Sequence, residues 1–255
     1  MRVTVAPAST KTGAPVIRIL LATPQSGVKV KALYRNLSKV PSEFTSDPRF
    51  EAVCCDVDDQ ATIDFEGSEV VMAITPPVYD GGDIVAISKR CSENVKIAIE
   101  KSSFVQKIVL LSSVCGQYNE DVGEIKTNHM AETVSKATKV PEIIIVRCAY
   151  FMENWTASLD TLRGPEPFFF STVVPLEWVF AMVAIADVGA SITREVLKQT
   201  RSPRCPHVFE LYSPQWYTPL DVQAALSAAL NKEVAVKPVE RGILVAFTPA
   251  SSRPK

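Results

Sequence analysis

Several residue types are in short supply here, and each shortage closes off a class of function. Histidine occurs only as His129 and His207, so no metal cluster is expected. Neither sign of charge is in surplus: 27 Lys and Arg stand against 28 Asp and Glu, a formal net charge of -1, and no basic cluster marks a nucleic-acid footprint or an anionic membrane surface. No apolar run reaches the roughly 20 residues that span a bilayer. The N-terminus lacks a basic segment followed by an apolar block, which predicts no secretory leader and a cytoplasmic location. Six cysteines, Cys54, Cys55, Cys91, Cys115, Cys148 and Cys205, form no C-x-x-C pair and read as small apolar residues of a reducing compartment. Glycine is the shortage with the largest consequence, at 10 residues in 255.

That consequence falls on the first stretch, MRVTVAPASTKTGAPVIRILL. Val3 and Val5 alternate with polar neighbours, and Val16, Ile17, Leu20 and Leu21 recur at helical spacing. A short strand therefore feeds a helix through Pro7 to Gly13, the place where a doubly wound sheet holds a dinucleotide. Three glycines normally make that turn tight, let the backbone approach the pyrophosphate and let the helix pack closely. Here the positions hold Pro7, Thr10 and Gly13, so only the third reason survives intact. The helix N-terminus still offers N–H groups and a favourable dipole beside Lys11. Thr10, Lys11, Thr12 and Gly13 are read as an altered phosphate site, with a scaffold that binds nothing as the alternative.

Strands and helices alternate from there. Lys29 to Arg35 reads as the second strand, and Arg35, with Lys39 nearby, stands where an arginine suits the 2′-phosphate of NADP; an ordinary solvated arginine is the other reading. The third strand, Glu51 to Val57, ends in Asp56, a candidate adenine-facing group, while a helix cap explains Asp58 or Asp59 equally well. Ser68 to Thr75 ends abruptly at Pro76 and Pro77, opening its carboxyl end to a ligand crevice lined by Thr75 and Pro76. Ile84, Ile87, Cys91, Val95 and Ala98 mark a long helix, and Lys107 to Val114 and Glu142 to Ala149 are the fifth and sixth strands, with a helix from near Thr127 to near Pro141 between them. Six strands alternating with helices predict a parallel, doubly wound, Rossmann-like α/β sheet.

Beyond Phe151 strands become rare and aromatics gather at Phe151, Trp155, Phe168, Phe169, Phe170, Trp178 and Phe180. We expect residues 1–155 to form the dinucleotide-binding domain and residues 156–255 a smaller α+β substrate lobe. That lobe is expected to hold a helix at Asp187 to Gln199, a strand at Val208 to Tyr212, and a helix starting at Thr218-Pro219-Leu220-Asp221. The polar tail Ser251 to Lys255 is expected to fray.

The segments PASTKTG, ALYRNLSK, TPP, LLSSV, VRCAYFMENW, VAIADVG and LYSPQWYTPLDVQAAL follow one another across almost the whole chain. In that order they resemble the NmrA-like branch of the atypical short-chain dehydrogenases. The resemblance implies NADPH as cofactor in preference to NAD and a small aromatic or polycyclic substrate, and it leaves a homodimer open. It also covers several activities: NADPH-dependent reductases, enzymes of fungal specialised metabolism, and regulators that bind dinucleotide without turnover. Similar sequences usually continue for some dozens of residues past the strand expected at Glu233 to Val239, so a short outer wall to the substrate pocket is implied.

Active relatives carry a tyrosine and, four residues on, a lysine that lowers the phenol's pKa for proton exchange with the substrate oxygen. Taking Glu132 as the family's glutamate places Glu124 and Asn128 at those positions. Tyr118 and Lys126 stand nearby but eight residues apart, too far for one helix to present them in the usual way. Ser112 and Ser113 close the fifth strand within reach of a substrate carbonyl, and Ser112 also counts with the cofactor site. His129 is the best remaining proton donor, because histidine ordinarily titrates near neutrality; a partly exposed histidine at a helix start is the plainer reading. Three functions stay open: an NADPH-dependent reductase of a ketone, quinone or imine; a non-redox isomerase or cyclase; and a dinucleotide sensor without turnover.

Overall fold

A computed structural model describes residues 1–23, 27–78, 81–240 and 242. Its first elements are β1 (Arg2–Ala6), α1 (Gly13–Ala22), β2 (Lys29–Tyr34), the one-turn helix α2 (Ser42–Thr45), β3 (Phe50–Cys54) and β4 (Val70–Ile74). Next come α3 (Ile84–Lys101), β5 (Lys107–Ser113), α4 (Lys126–Lys136) and β6 (Glu142–Cys148). The chain continues with β7 (Tyr150–Phe151), α5 (Leu159–Leu162), β8 (Phe168–Ser171), β9 (Phe180–Val183) and α6 (Ile185–Leu197). It finishes with β10 (His207–Leu211), β11 (Trp216–Tyr217), α7 (Pro219–Leu230) and β12 (Ala235–Pro238). The tail expected to fray lies outside the described residues.

The elements form two compact units: residues 1–148 with 185–211, and residues 149–184 with 212–255. In the large unit seven parallel strands stand in the order β10-β6-β5-β4-β1-β2-β3. The order reverses between β1 and β4, the switch point where such sheets bind ligands beyond their carboxyl ends. Val70 to Ile74 and Ile143 to Val146 are buried without a break, as strands covered on both faces require. Ile108, Leu110, Ile143 and Ile145 meet Cys91, Ala98 and Ile99 of α3 and Ala131 of α4 in one core. On α6, Gly189 lets α1 approach so closely that an added Cβ would stand 2.9 Å from Cβ of Pro15.

The main departure from expectation is where the chain goes after β6. The expected boundary at residues 155 and 156 does not match these units: the chain leaves the large unit after Cys148, then returns to it as α6 and β10. β10, expected in the small lobe, pairs instead with β6, from His207 opposite Ile144 to Leu211 opposite Cys148. A buried charge network holds the returning segment. Lys107 Nζ donates to the carbonyls of Glu195 (3.1 Å) and Lys198 (2.7 Å) at the end of α6 and lies 3.3 Å from Glu142. Glu142 in turn accepts from the Ser202 amide at 3.1 Å. Loose carbonyls at a helix end are thereby satisfied by a lysine from the neighbouring strand.

Strands are not rare after Phe151, either. Among the described residues six follow β6, but each has only two to five residues, too few for alternation to show in the sequence. The small unit holds the sheets β11-β9-β7 and β12-β8. Its aromatics are partly core, as expected: Phe169 is fully buried and its ring meets Trp155 edge-on at 5.4 Å. Phe170 and Trp178 are exposed. The start expected for α7 is found, with Thr218 Oγ1 accepting from the Asp221 amide (3.1 Å) while the Asp221 carboxylate accepts from the Thr218 amide (2.7 Å).

At the head of α1, a Cβ on Gly13 would stand 2.4 Å from the carbonyl oxygen of Ala8, a backbone atom with no freedom to yield. Gly13→Ala should therefore destabilise by about 1–3 kcal/mol, the range for overpacking. Urea unfolding checks it, and an unchanged midpoint would mean that the turn opens without cost.

Candidate functional site

The carboxyl edge of the large unit's sheet is built from four turns, after β1, β2, β4 and β5, with the loop after β3 beside the second. In the first, after β1, the Ala8 amide donates to the Leu33 carbonyl at 2.8 Å and ties the turn to β2. Thr10 folds its side chain onto the helix start, where its carbonyl and its Oγ1 each lie 3.2 Å from the Gly13 amide. The hydroxyls of Thr10 and Thr12 are 3.4 Å apart, and Thr12 is buried. A hydroxyl that accepts from Gly13 still has its own proton to give, so Thr10 offers an incoming anion a side-chain donor in place of the close backbone approach of the missing glycine. No acidic residue stands in the first turn of α1, which leaves its positive end uncompensated.

The second turn follows β2. Arg35, Lys39 and, in the first turn, Lys11 are exposed and form no ion pair among the described residues. Arg18 pairs with Glu43, Arg49 with Asp47 and Arg90 with Asp58, while Arg163, Arg201 and Arg204 also form no ion pair among the described residues. After β3, Asp56 accepts from the Asp58 amide at 3.0 Å, while the two bonds from Arg90 hold the Asp58 carboxyl below the usual carboxylate range. Asp59 caps a short 3₁₀ turn through the Ala61 amide. The third turn follows β4: Thr75 and Pro76 are half-buried, and Thr75 Oγ1 is enclosed with no hydrogen-bond partner among the described residues. An enclosed hydroxyl without a partner is costly unless something else completes it.

The fourth turn joins β5 to the approach of α4. Here the structure separates the two serines. Ser112 donates to Glu132 at 2.7 Å, so its hydroxyl proton is taken up within the protein. Glu132 is 1% exposed and also receives two bonds from Arg147 (2.8 and 2.7 Å) and one from Lys136 (2.9 Å). Burial raises its pKa, but the bonds from Arg147, Lys136 and Ser112 outweigh that and bring it down to about 2. Gly116 lies against this network, since an added Cβ would stand 2.7 Å from the Glu132 carboxylate and 2.9 Å from Ser112 Oγ.

Ser113 and His129 meet on the same turn. The Gly116 amide donates to the Ser113 carbonyl at 2.9 Å, and the Gly116 carbonyl lies 3.1 Å from His129 Nδ1. A carbonyl only accepts, so Nδ1 carries hydrogen and Nε2 is left to exchange a proton. The hydroxyl of Ser113 has no protein partner among the described residues. Tyr118 is 55% exposed and Lys126 is the half-buried first residue of α4; no hydrogen bond joins either to His129. Cys115, between the serine and Gly116, has φ of 67°, a strained conformation for a residue with a side chain. The Glu132 to Arg147 pair was not read as a unit from the sequence, where only the i,i+4 spacing of Glu132 and Lys136 hinted at it.

Compared by sequence, the chain matches no protein-family model and no curated protein. By structure it is similar to the NADPH-dependent quinone oxidoreductase QOR2 of Escherichia coli with NADPH, at a TM-score of 0.74 and 18% identity over 96% of this chain and 81% of that one. It is likewise similar to the triphenylmethane reductase of Citrobacter sp. with NADP(H), at 0.74 and 17% over 98% and 84%. The dTDP-glucose 4,6-dehydratase DesIV of Streptomyces venezuelae with NAD and TYD gives 0.76 and 15% over 95% and 86%. At such identities the likeness establishes the Rossmann-like fold.

Proposed function

We propose that the chain is an NADPH-dependent oxidoreductase of the NmrA-like type, reducing a ketone, quinone or imine of an aromatic or polycyclic specialised metabolite. The observation that carries this reading is a carboxyl sheet edge where, among the described residues, Lys11, Arg35 and Lys39 form no ion pair and the enclosed hydroxyl of Thr75 has no partner. These residues fit a phosphorylated dinucleotide: Arg35 and Lys39 would hold the 2′-phosphate, Thr10 and the head of α1 the pyrophosphate, and Thr75 a group beside β4. When bound, the dinucleotide supplies the hydride. The imidazolium form of His129 gives its Nε2 proton to the substrate oxygen or nitrogen, leaving the neutral ring with its hydrogen on Nδ1, and the Ser113 hydroxyl orients that substrate atom. The solved neighbours that carry NADPH or NADP(H), a quinone reductase and a triphenylmethane reductase, are in keeping with this chemistry.

A second reading, dinucleotide binding without turnover, is favoured by Glu124 and Asn128 at the places of the tyrosine and lysine. Calorimetric titration with NADPH and NADH tests the step common to both. NADPH should bind at micromolar affinity, and Arg35→Ala should weaken it by about tenfold or more, the loss of a charge-assisted contact, with NADH changed by less than about twofold. Absence of any dinucleotide binding would end both readings.

A further inference from the structure

In the small unit the side chains that should close the core stop short of doing so. Phe169 and Val234 are fully buried, yet Tyr150, Met152, Trp155, Phe180 and Tyr217 pack around them only partly buried. Beside them lies a cavity of about 790 Å³, formed entirely within this unit and in the range of about 300–1,000 Å³ usual for small-molecule sites. Met152, Leu162, Met182 and Leu226 supply apolar walls, and Trp155, Trp216 and Tyr217 flat ones. Trp216 is 58% exposed, so a large indole surface is left open to water by the described residues. The two methionines add unbranched, polarizable side chains that adapt to a ligand's outline, and Met182 Sδ already meets Trp155 Nε1 at 3.3 Å.

Charge decides what such a space admits. Among the described residues no lysine or arginine lines it, and the one ionisable carboxylate is Asp221. The Thr218 amide and hydroxyl, at 2.7 and 2.8 Å, hold the Asp221 carboxyl below the usual carboxylate range, so it stays ionised at the head of α7. An anion entering the cavity would meet that charge with no cation among the described lining residues to offset it. The polar groups left over are neutral: the Tyr217 hydroxyl and the Trp216 indole N–H have no hydrogen-bond partner among the described residues and can each donate to an oxygen.

We infer that this cavity is a binding site for a neutral, flat aromatic ligand of about two or three fused rings, with a hydroxyl or carbonyl oxygen held by Tyr217. Such a ligand binds whether or not the large unit holds a dinucleotide; under the proposed reduction it is also the substrate class that the small unit selects.

Calorimetry with 2-naphthol and naphthalene-2-sulfonate on the full chain tests this. 2-Naphthol should bind with Kd of about 10–100 µM, as expected for so small a ligand, and the sulfonate at least tenfold more weakly. Ala225 of α7 lines the cavity and Ala228 does not, although both are exposed. Ala225→Phe should therefore weaken 2-naphthol at least tenfold, with Ala228→Phe within about twofold of the parent. Tyr217→Phe should cost about fivefold, the loss of one hydrogen bond, and carries the test if Ala225→Phe melts early. NADPH titration of Ala225→Phe should match the parent chain, so failure here is distinct from failure at the nucleotide site. Equal affinity for the sulfonate, indifference to both the filling and the hydroxyl-deleting variants, or no heat from 2-naphthol at millimolar concentration would overturn the assignment.

Discussion

Glu132→Ala is expected to destabilise the large unit by about 3–5 kcal/mol, the cost of stripping one partner from a buried ion pair. Glu132 receives Ser112, Arg147 and Lys136 together, and Arg147 lies half-buried at the end of β6 with no second carboxylate bonded to it. Removing Glu132 leaves that guanidinium desolvated without its bonded carboxylate, offset in part by the charge of Glu210 opposite it on β10, while Glu132→Leu combined with Arg147→Met should recover much of the loss because the charges leave together. Urea unfolding measures both, and a single-variant loss under about 1 kcal/mol would mean that water reaches the pair. The pH dependence has a definite sign. The carboxyl titrates at about 2 in the folded chain against an ordinary 4.5, so its contribution is complete above the higher value and is lost as pH falls through the lower one. The parent chain should lose stability between those values more steeply than Glu132→Ala.

Under the proposed reduction, His129→Phe should lower kcat for hydride transfer by about 10²–10⁴, the usual contribution of a positioned acid, and leave the Kd for NADPH within about twofold. The ring is anchored through Nδ1 by the Gly116 carbonyl, so phenylalanine keeps much of the packing and removes the exchangeable proton. Tyr118→Phe supplies the comparison: the side chain is 55% exposed and bonded to nothing on the Gly116 turn, and its loss should change kcat by less than about twofold. Rates that fall with Tyr118→Phe and hold with His129→Phe would move proton transfer to the phenol.

What the sequence disclosed depended on the length over which a pattern could act. Helices α1, α3 and α4 and the strands through β6 were legible because buried parallel strands are continuous apolar runs and α3 keeps one apolar face. β10 was legible as a strand but not as a member of the large sheet, since nothing local in His207 to Leu211 says that Ile144 is its neighbour. Partnerships between distant residues were hidden for the same reason. Ser112 looked equivalent to Ser113, yet strand alternation turns it to Glu132, and Arg147 joins that carboxylate from another strand. Thr10 could be seen as a missing glycine; that its hydroxyl caps Gly13 could not.

The return of the chain to β10 has a consequence for how the protein is made. β3, at one side of the sheet, is built to remain an edge, with Glu51 and Cys54 open to water. β6 is not: apart from half-buried Arg147 every residue from Glu142 to Cys148 is buried, and that burial is complete only when residues 207–211 have arrived. On the ribosome, everything from β7 through α6 must emerge first. Through that interval the nascent chain carries the unpaired backbone of an Ile-Ile-Ile-Val strand, the kind of edge on which chains pair wrongly with one another. The interval between β6 and β10 is therefore the stage of synthesis at which this protein most needs a chaperone's shelter.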